Sequence, residues 1–517
     1  MSCSHLLSSW RAAAALAVVA ASAAAPCLAA DTVPTFRAGF AERDVSPAIG
    51  DEAPGGYGKA RHAAFHDACK ARAAVFDDGV APVAIVGLDA LLIRRPTVAE
   101  ARRRITDRTG IPGDRVMIAA SHSHSAGPTG MILPGEYDAD PPLVRELAYE
   151  KTVVASPEYL EKVVEGIAAA VTEAFERRGD ARAAAGFGTA EGVAFNRRFR
   201  MRNGFTMTHP GVGNPDIVSV AGGVDPQVGV LAAWNAAGDC LGVVVNFACH
   251  ATTGPGGISA DYVHHLERTL RGALGDGCIV VFTAGMAGDV TQVDNRSRFD
   301  FKQFGDAAAR RLGSAVGAAA AQATLKLEPS AGALLPLAAA GRTLEIPRRA
   351  PRPERVAKAR AIVEMPAGAG VDATDWTFAK ELVLLDARLA REPVAPVEIQ
   401  AIQVGPAVFL SCPAEYFVDY GLELKAAGPF PVTFPVSLAN DCIGYVPTEE
   451  ALGPRGGGYE TRLTSYSNLV PTAGRTICDG LKALAAGMTP GPVPAPAPAP
   501  PFRGQPWSYG SLRPELD

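Results

Sequence analysis

The sequence predicts an α/β fold in which a mixed β-sheet core is surrounded by helices within a single large domain. Two observations lead to this prediction. Short β-branched runs bounded by glycine or aspartate are typical of buried strands, and they cover residues 82–87, 115–120, 242–247 and 278–282. Stretches rich in alanine and arginine, with helical spacing, lie between them at residues 97–109, 157–178 and 304–322. The alternation of the two kinds of segment indicates an α/β core.

The N-terminus has the layout of a signal peptide covering residues 1–30. A basic residue, Arg11, precedes an apolar run at 13–25 that is too short to span a bilayer. Small residues at its end suit cleavage before Asp31. A disordered alanine-rich leader is the alternative. We expect an exported protein, either periplasmic or secreted.

The remaining chain divides into a predicted domain at residues 31–486 and a Pro/Ala-rich tail at 487–517. The run 490–501 consists mainly of proline and alanine, which favours extended polyproline conformations. Residues 342–392 lose the strand pattern and become helical, which predicts an insertion or a helical bridge between two halves. Strand character returns at 397–404.

Charge and hydropathy argue against a nucleic-acid partner and against a membrane span. The net charge is −5 and the basic residues are scattered, except in the stretch 342–360, so a nucleic-acid partner is not expected. After residue 30 no apolar stretch approaches the length of a membrane span, so we expect no transmembrane segment in the mature chain. The sequence leaves the oligomeric state open.

Seven cysteines remain after the predicted cleavage, and none belongs to a CxxC pair. Export permits disulfides. The odd number, and the apolar strand-like runs around several of these cysteines, favour buried free thiols equally. No connectivity follows from the sequence.

The densest polar motif is the segment 121–125, Ser-His-Ser-His-Ser, which directly follows the predicted strand 115–120. Residues two apart on an extended segment point the same way, so His122 and His124 would project together from the strand end. Paired imidazoles are a natural start for a metal site. Histidines satisfied by loop hydrogen bonds are the alternative.

Further polar residues follow other apolar strands. His250 ends the strand 242–247 and its extension, and Glu415 follows an apolar strand, so the two would add nitrogen and oxygen ligands suited to zinc. The glycine-rich turn 283–291 brings backbone amides that can stabilise an oxyanion. Tyr445 and Tyr459 place phenol groups in loops. Taken singly, each of these features also fits a structural role.

In order along the chain, these segments resemble the catalytic domain of the neutral, or neutral/alkaline, ceramidase family. The resemblance covers most of the mature chain and rests on the segments 39–47, 55–58, 121–125, 195–197, 246–252, 258–262, 287–290, 413–415 and 440–460. It implies a zinc-dependent hydrolase that acts on linear amides.

The resemblance also implies a site. One zinc ion per chain would be held by four residues, which correspond here to His122, His250, Glu415 and Tyr445. The reaction centre would be lined by His124, Arg197 and Tyr459. A further catalytic position, serine in the family, is Thr291 here, with the next residue changed from proline to Gln292.

Two departures from the family bear on the substrate. The methyl group of Thr291 makes its hydroxyl bulkier and more restricted in rotamer than that of serine. The immunoglobulin-like C-terminal domain of the ceramidases is also expected to be absent, because only the tail 487–517 follows the predicted domain.

The interpretation that best fits the sequence is hydrolysis of an N-acyl amide, with ceramide cleaved to sphingosine and fatty acid as the leading candidate. The partner would be a small-molecule or lipid-like N-acyl substrate. A zinc hydrolase of a different N-acyl amide, an ester or a lactone is the first alternative. A catalytically inactive exported binding protein is the second.

Overall fold

The computed structural model describes residues 36–299, 302–327, 333–366, 370–494 and 500–517. The predicted signal peptide lies outside these ranges, as do residues 495–499 of the Pro-Ala run. Residues 35–517 form one compact unit with several mixed sheets and flanking helices. The predicted α/β class with a mixed-sheet core is therefore confirmed.

The strands in chain order are β1 (Arg37–Asp44), β2 (Lys70–Asp77), β3 (Val83–Leu88), β4 (Val116–Ala120), β5 (Gly179–Asp180), β6 (Arg182–Thr189), β7 (Phe195–Asn196), β8 (Arg198–Met201), β9 (Thr206–Thr208), β10 (Ile217–Val220), β11 (Gln227–Trp234), β12 (Cys240–Phe247), β13 (Ile279–Ala284), β14 (Val290–Thr291), β15 (Leu337–Pro347), β16 (Val394–Val404), β17 (Ala407–Ser411), β18 (Glu415–Tyr416), β19 (Val432–Val436) and β20 (Tyr445–Val446).

The α-helices are α1 (Arg95–Thr109), α2 (Pro142–Tyr149), α3 (Pro157–Glu176), α4 (Tyr262–Leu274), α5 (Asp306–Lys326), α6 (Pro353–Val363), α7 (Ala373–Arg391), α8 (Val418–Ala427) and α9 (Ala473–Ala486). Their starts follow from local sequence. Helix α3, for example, has proline at its first position, and the Ser156 side chain accepts a hydrogen bond from the backbone N–H of Tyr159 at 3.2 Å.

Three larger sheets build the core. Their strand orders are β4-β3-β2-β1-β5, β13-β12-β11-β6 and β15-β16-β17-β19. Each combines antiparallel neighbours with one parallel pair, which is β3 with β4, β12 with β13, and β17 with β19. Parallel pairing needs long crossover connections, and these are provided by helices such as α1 and α4.

The alternation of side chains along the strands explains how the sheets pack. In β3, Ile85 belongs to an apolar cluster shared by all three sheets, whereas its neighbour Val86 belongs to a cluster with α1 and α3. Helices α4 and α5 cover the outer face of the second sheet in the same way. Strands buried on both faces carry the continuous apolar runs that the sequence displays.

One sequence prediction is wrong in part. Residues 342–347 were expected to belong to a helical region, but they form the second half of β15, which pairs with β16 over its whole length. This strand lies at the edge of its sheet and is largely exposed, so it lacks the apolar run by which buried strands are recognised. Helices α6 and α7 occupy most of the remainder of 342–392, as expected.

The seven described cysteines are free thiols, and all except the half-buried Cys240 are buried. Across the described ranges, every helix falls short of the length and apolar character that a membrane crossing requires.

Four chain segments converge where the candidate site lies. Strands β4 and β12 lie in different sheets, and the segments that follow them meet through a parallel bridge between Ser123 and Ala251. The short parallel pair β18 and β20 places Glu415 directly opposite Tyr445. The fold therefore brings four sequence-distant residues together at one end of the sheets.

Candidate active site

His122 follows β4 in a backbone conformation that is uncommon for a side chain other than glycine, with φ of 65°. Its neighbours are fixed to the end of β3, because the Ser121 and Ser123 amides donate to backbone carbonyls of that segment. The His122 Nδ1 donates to the carbonyl of Leu91 at 2.8 Å. In the neutral ring Nε2 then carries the lone pair, and this atom lies 3.2 Å from Oε2 of Glu415.

His250 is oriented by the glycine-rich turn that follows β13. Its Nδ1 donates to the carbonyl of Ala287 at 2.8 Å, and its backbone N–H donates to the carbonyl of Val290 at 3.0 Å. The Nε2 atom faces Oε2 of Glu415 at 2.9 Å. In this turn it is the carbonyls, and not the amides considered in the sequence analysis, that contact the site residues.

The donor atoms of His122, His250 and Glu415 all lie within 4.8 Å of one another. The three residues are 4%, 3% and 4% exposed. Burial lowers the pKa of His250 to about 3, so its imidazole is neutral. Burial raises the pKa of Glu415, but its contacts with His122 and His250 outweigh that effect and hold the pKa well below its usual range.

This arrangement fits a zinc ion on chemical grounds. Each histidine donates its Nδ1 proton to a backbone carbonyl, which is the outer contact that fixes metal-binding imidazoles. Both Nε2 lone pairs then face a carboxylate oxygen, so acceptors converge on acceptors, and a cation between them would relieve that repulsion. Neutral imidazoles and an ionised carboxylate are the forms in which these groups bind zinc.

Tyr445 and Tyr459 lie next to the donor set. Their hydroxyl oxygens are 2.7 Å apart, and the Arg197 guanidinium donates to the Tyr445 hydroxyl at 3.2 Å. Burial and then the charge of Glu415 raise the pKa of Tyr445 well above its usual value. Without an added cation the phenol is therefore protonated at neutral pH.

Arg197 is buried, with 3% of its surface exposed, and it donates hydrogen bonds to three groups around the site. Its Nε donates to Glu460 Oε1 at 2.9 Å and its Nη2 to the carbonyl of Gly288 at 2.7 Å. Burial alone would lower the pKa of Arg197, but Tyr459, Tyr445 and Glu460 raise it well above the ordinary value. The guanidinium is therefore a fixed positive charge beside the site.

His124 reaches the site beside His122. Its Nε2 lies 3.3 Å from Nε2 of His122, and its Nδ1 donates to the carbonyl of Gly55 at 3.0 Å. Burial, followed by the neighbouring imidazoles, lowers the pKa of His124 well below its ordinary value, so this ring is neutral. The predicted pairing of two imidazoles at the end of β4 is what the fold produces.

Most of these side chains line a narrow pocket of about 70 Å³, whereas Arg197 and His250 lie behind its lining. Its lining residues are Gly55, Gly56, Tyr57, Leu91, His122, His124, Met131, Glu415, Tyr445, Tyr459 and Tyr466. Thr291 is not among them. Within the described residues its hydroxyl accepts a hydrogen bond from the backbone N–H of Val293 at 3.3 Å, and its backbone pairs with Phe195. The fold thus leaves Thr291 outside the pocket lining, and its catalytic role stays a prediction.

Several residues that shape this site were not predicted from the sequence. Glu460 is fully buried and holds Arg197, although the adjacent pair Tyr459-Glu460 was visible in the sequence. Tyr57 was noticed only as part of a glycine-rich motif. The backbone carbonyl of Leu91 carries no sequence signature at all, because any residue provides one.

Gly444 is the glycine on which the site depends most directly. It has φ of 78°, and a Cβ atom there would lie 1.6 Å from the carbonyl oxygen of Tyr466. We predict that Gly444→Ala destabilises the protein by more than about 1–3 kcal/mol, the usual cost of backbone strain, since a steric clash adds to it. Urea unfolding measures this loss.

The matched control is Gly272→Ala in α4, where an added Cβ would contact nothing within 4 Å. There alanine should leave stability unchanged or raise it slightly, because it favours helix. Equal stability of the Gly444→Ala and Gly272→Ala proteins would contradict this description of the loop.

Comparison with known proteins places the fold. No protein-family profile and no curated protein sequence matches the chain. Among solved structures, a neutral ceramidase from Pseudomonas aeruginosa superposes with a TM-score of 0.63 at 20% identity, over 90% of this chain and 76% of that one. This chain has the neutral ceramidase fold.

A second ceramidase structure, described as complexed with C2, matches with a TM-score of 0.61 at 19% identity, over 90% of this chain and 77% of that chain. The neutral ceramidase fold predicted by the ordered motifs is therefore confirmed. At this level of identity the likeness fixes the architecture, and the chemistry has to be argued from the site itself.

Proposed function

We propose that this chain is an exported, zinc-dependent hydrolase of N-acyl amides, with ceramide as the leading substrate. The observation that supports it most is the buried set of His122, His250 and Glu415 beside a fixed guanidinium and two phenols. Zinc, when bound, lowers the pKa of a water molecule and polarises a carbonyl group. Tyr445, opposite Glu415 on the paired strand, is the proposed fourth ligand.

The other residues would act on the substrate. Arg197 provides a positive charge, and Tyr459 a hydroxyl proton, near the position where the amide oxygen of the substrate becomes negative during attack. Both are held in place before substrate arrives, Arg197 by Glu460 and Tyr459 by the Tyr445 hydroxyl. His124 is neutral, so it can hydrogen-bond the substrate or accept a proton.

The reaction pocket is small, which indicates that most of the substrate lies outside it. A pocket of about 70 Å³ accommodates the scissile group, whereas whole small-molecule sites measure about 300–1,000 Å³. An adjoining groove of about 370 Å³ is lined by α6, α7 and the segment at 462–463. The two lie near each other, because Tyr57 of the pocket contacts Phe378 of the groove with ring centres 5.8 Å apart.

This groove supports a second candidate function. Its lining combines apolar side chains with Arg355, Lys358 and Arg462, against Asp375 as the single carboxylate among the lining residues described. The Arg462 guanidinium lies 3.4 Å above the Phe378 ring. An N-acyl amide that carries an acidic group, such as an N-acyl amino acid, would complement this charge better than neutral ceramide does.

The proposal is tested by measuring fatty-acid release from substrates with one common acyl chain. N-lauroyl sphingosine, N-lauroyl glycine and ethyl laurate separate a neutral amide, an acidic amide and an ester. Release from either amide supports the proposal, and preference between them selects the substrate class. Release from the ester alone would contradict amide hydrolysis, and binding without release from any of the three would indicate the inactive binding protein.

We predict that Arg462→Ala raises the KM for N-lauroyl glycine about twofold to fivefold, in line with the loss of an exposed ion pair of up to about 1 kcal/mol. The KM for N-lauroyl sphingosine should remain unchanged. Lys326→Ala, an exposed lysine at the end of α5, is the charge-matched control. An equal effect of Arg462→Ala on both substrates would contradict charge recognition by the groove.

A further inference from the structure

A second cluster of histidine and carboxylate side chains lies outside the pocket described above. It joins the loop before β2 to the first turns of α4 and α5, and we refer to it as the His66 cluster. Its members are His66, Asp67, His264, His265 and Asp306.

The His66 cluster repeats the donor pattern of the candidate active site. One carboxylate oxygen, Asp306 Oδ1, lies 3.0 Å from Nε2 of His265 and 3.2 Å from Nε2 of His66. In the active site the corresponding distances from Glu415 Oε2 are 2.9 Å and 3.2 Å. In both places two imidazole nitrogens approach a single carboxylate oxygen.

The hydrogen-bond partner of His66 Nδ1 makes the His66 cluster more similar to the candidate active site. Its Nδ1 lies 2.7 Å from Asp67 Oδ2, and because a carboxylate only accepts, Nδ1 is the donor. In a neutral ring Nε2 then carries a lone pair, which faces the Asp306 oxygen. A metal ion placed between these two atoms would bind both.

The surrounding contacts resemble those of a metal site. The carboxylate of Asp67 is itself held, since it accepts hydrogen bonds from the Ser259 hydroxyl and from the backbone N–H of Ala260 at 2.9 Å. A carboxylate that fixes one nitrogen of an imidazole while the other binds a metal is a recurrent outer contact. The second oxygen of Asp306 contacts Arg310, which leaves Oδ1 directed at the two imidazoles.

The cluster is open to solvent and wider than the active site. The side chains of His66 and Asp306 are 24% and 32% exposed, so an ion can reach them. Among the described residues, the active-site set is the one whose donor atoms all lie within 4.8 Å, so the imidazoles of the cluster stand farther apart.

We propose that His66, His265 and Asp306 form a second zinc site, with a structural role. Two imidazole nitrogens and one carboxylate oxygen are a ligand set that zinc accepts, and water can complete its tetrahedron. A bound ion would tie the loop before β2 to the N-terminal turns of α4 and α5. Its binding energy would add to the stability of the folded protein.

The test is zinc stoichiometry on the full mature chain after equilibration with excess zinc and removal of the unbound metal by gel filtration. We expect two zinc ions in the unmodified protein and one in the double variant His66→Gln/His265→Gln. The variant should hydrolyse the best N-acyl substrate within about twofold of the unmodified protein, because the pocket residues are unchanged. His209→Gln, an exposed histidine elsewhere, should keep both ions.

A second measurement keeps the proposal independent of the active site. In a His122→Ala/His250→Ala background, added zinc should still raise the Tm, and the further changes His66→Gln and His265→Gln should abolish that rise. Cobalt in the same background should give the visible absorption of a tetrahedral site.

Two outcomes would overturn the second site. One is zinc that leaves the Tm unchanged in the His122→Ala/His250→Ala background. The other is a His66→Gln/His265→Gln protein that retains two ions. Neither outcome depends on whether any N-acyl amide is hydrolysed, so this inference and the proposed function fail separately.

Discussion

Replacing His122 with alanine is expected to remove the active-site zinc and to lower kcat/KM for the best N-acyl substrate by at least about a thousandfold. The substitution deletes one of the two imidazoles that face Glu415 and leaves a buried carboxylate with fewer partners. Polarisation of a carbonyl by zinc is worth several kcal/mol in the transition state, which corresponds to a loss of this size.

The measurement is zinc content and initial rate on one preparation, beside His209→Ala as a histidine control outside both metal clusters. His122→Ala should lose one zinc ion and the activity together, whereas His209→Ala should lose neither. A His122→Ala protein that hydrolyses at the unmodified rate would show that the donor set does not serve catalysis. If the unmodified protein and the His122→Ala protein both bound the substrate and neither hydrolysed it, the chain would be a binding protein.

The second large effect is expected at Arg197. Substitution by methionine should lower kcat by about 10²–10³, the usual loss when one oxyanion donor is removed, with little change in KM. It should also destabilise the protein by about 3–5 kcal/mol, because the fully buried Glu460 loses the partner that donates to it at 2.9 Å. Urea unfolding and steady-state kinetics measure the two losses.

A double variant separates the two roles of this pair. In Arg197→Met/Glu460→Gln no uncompensated buried charge remains, so most of the lost stability should return. Activity should stay low, because the positive charge beside Tyr445 and Tyr459 is still missing. Recovery of activity together with stability would mean that Arg197 supports the fold and takes no part in catalysis.

Much of the site was predictable because the polar residues stand at the ends of apolar strands. His122 and His250 each follow a strand that the β-branched pattern identifies, and Glu415 follows another. Buried polar side chains at such positions need hydrogen-bond partners or a metal ion, and neighbouring strand ends can provide these to one another. The order of motifs then indicated the ceramidase fold, which the structure comparison confirmed.

What the sequence could not give depends on contacts between distant segments. Glu460 was seen beside Tyr459, but its partner Arg197 is more than two hundred residues away, so nothing local marked the pair. The second half of β15 was mistaken for part of a helical region because an exposed edge strand lacks the apolar run of a buried one. Pairing with β16, which is non-local, decides its conformation.

The His66 cluster escaped notice for a similar reason. His264 and His265 are adjacent in a helix, and neighbouring histidines in a helix usually lie on a solvent-exposed face. Asp306 begins a different helix. His66 lies on a loop almost two hundred residues before His265. Only the packing of α4 against α5 shows that these groups share one place.

The central claim is that a zinc ion at His122, His250 and Glu415 drives hydrolysis of an N-acyl amide. The most direct test strips the purified protein of metal with a chelator, returns zinc in measured steps, and records fatty-acid release at each step. We predict that the stripped protein is inactive and that the rate rises with added zinc until the active site is filled. A stripped protein that releases fatty acid as fast as the zinc-loaded one would contradict the claim.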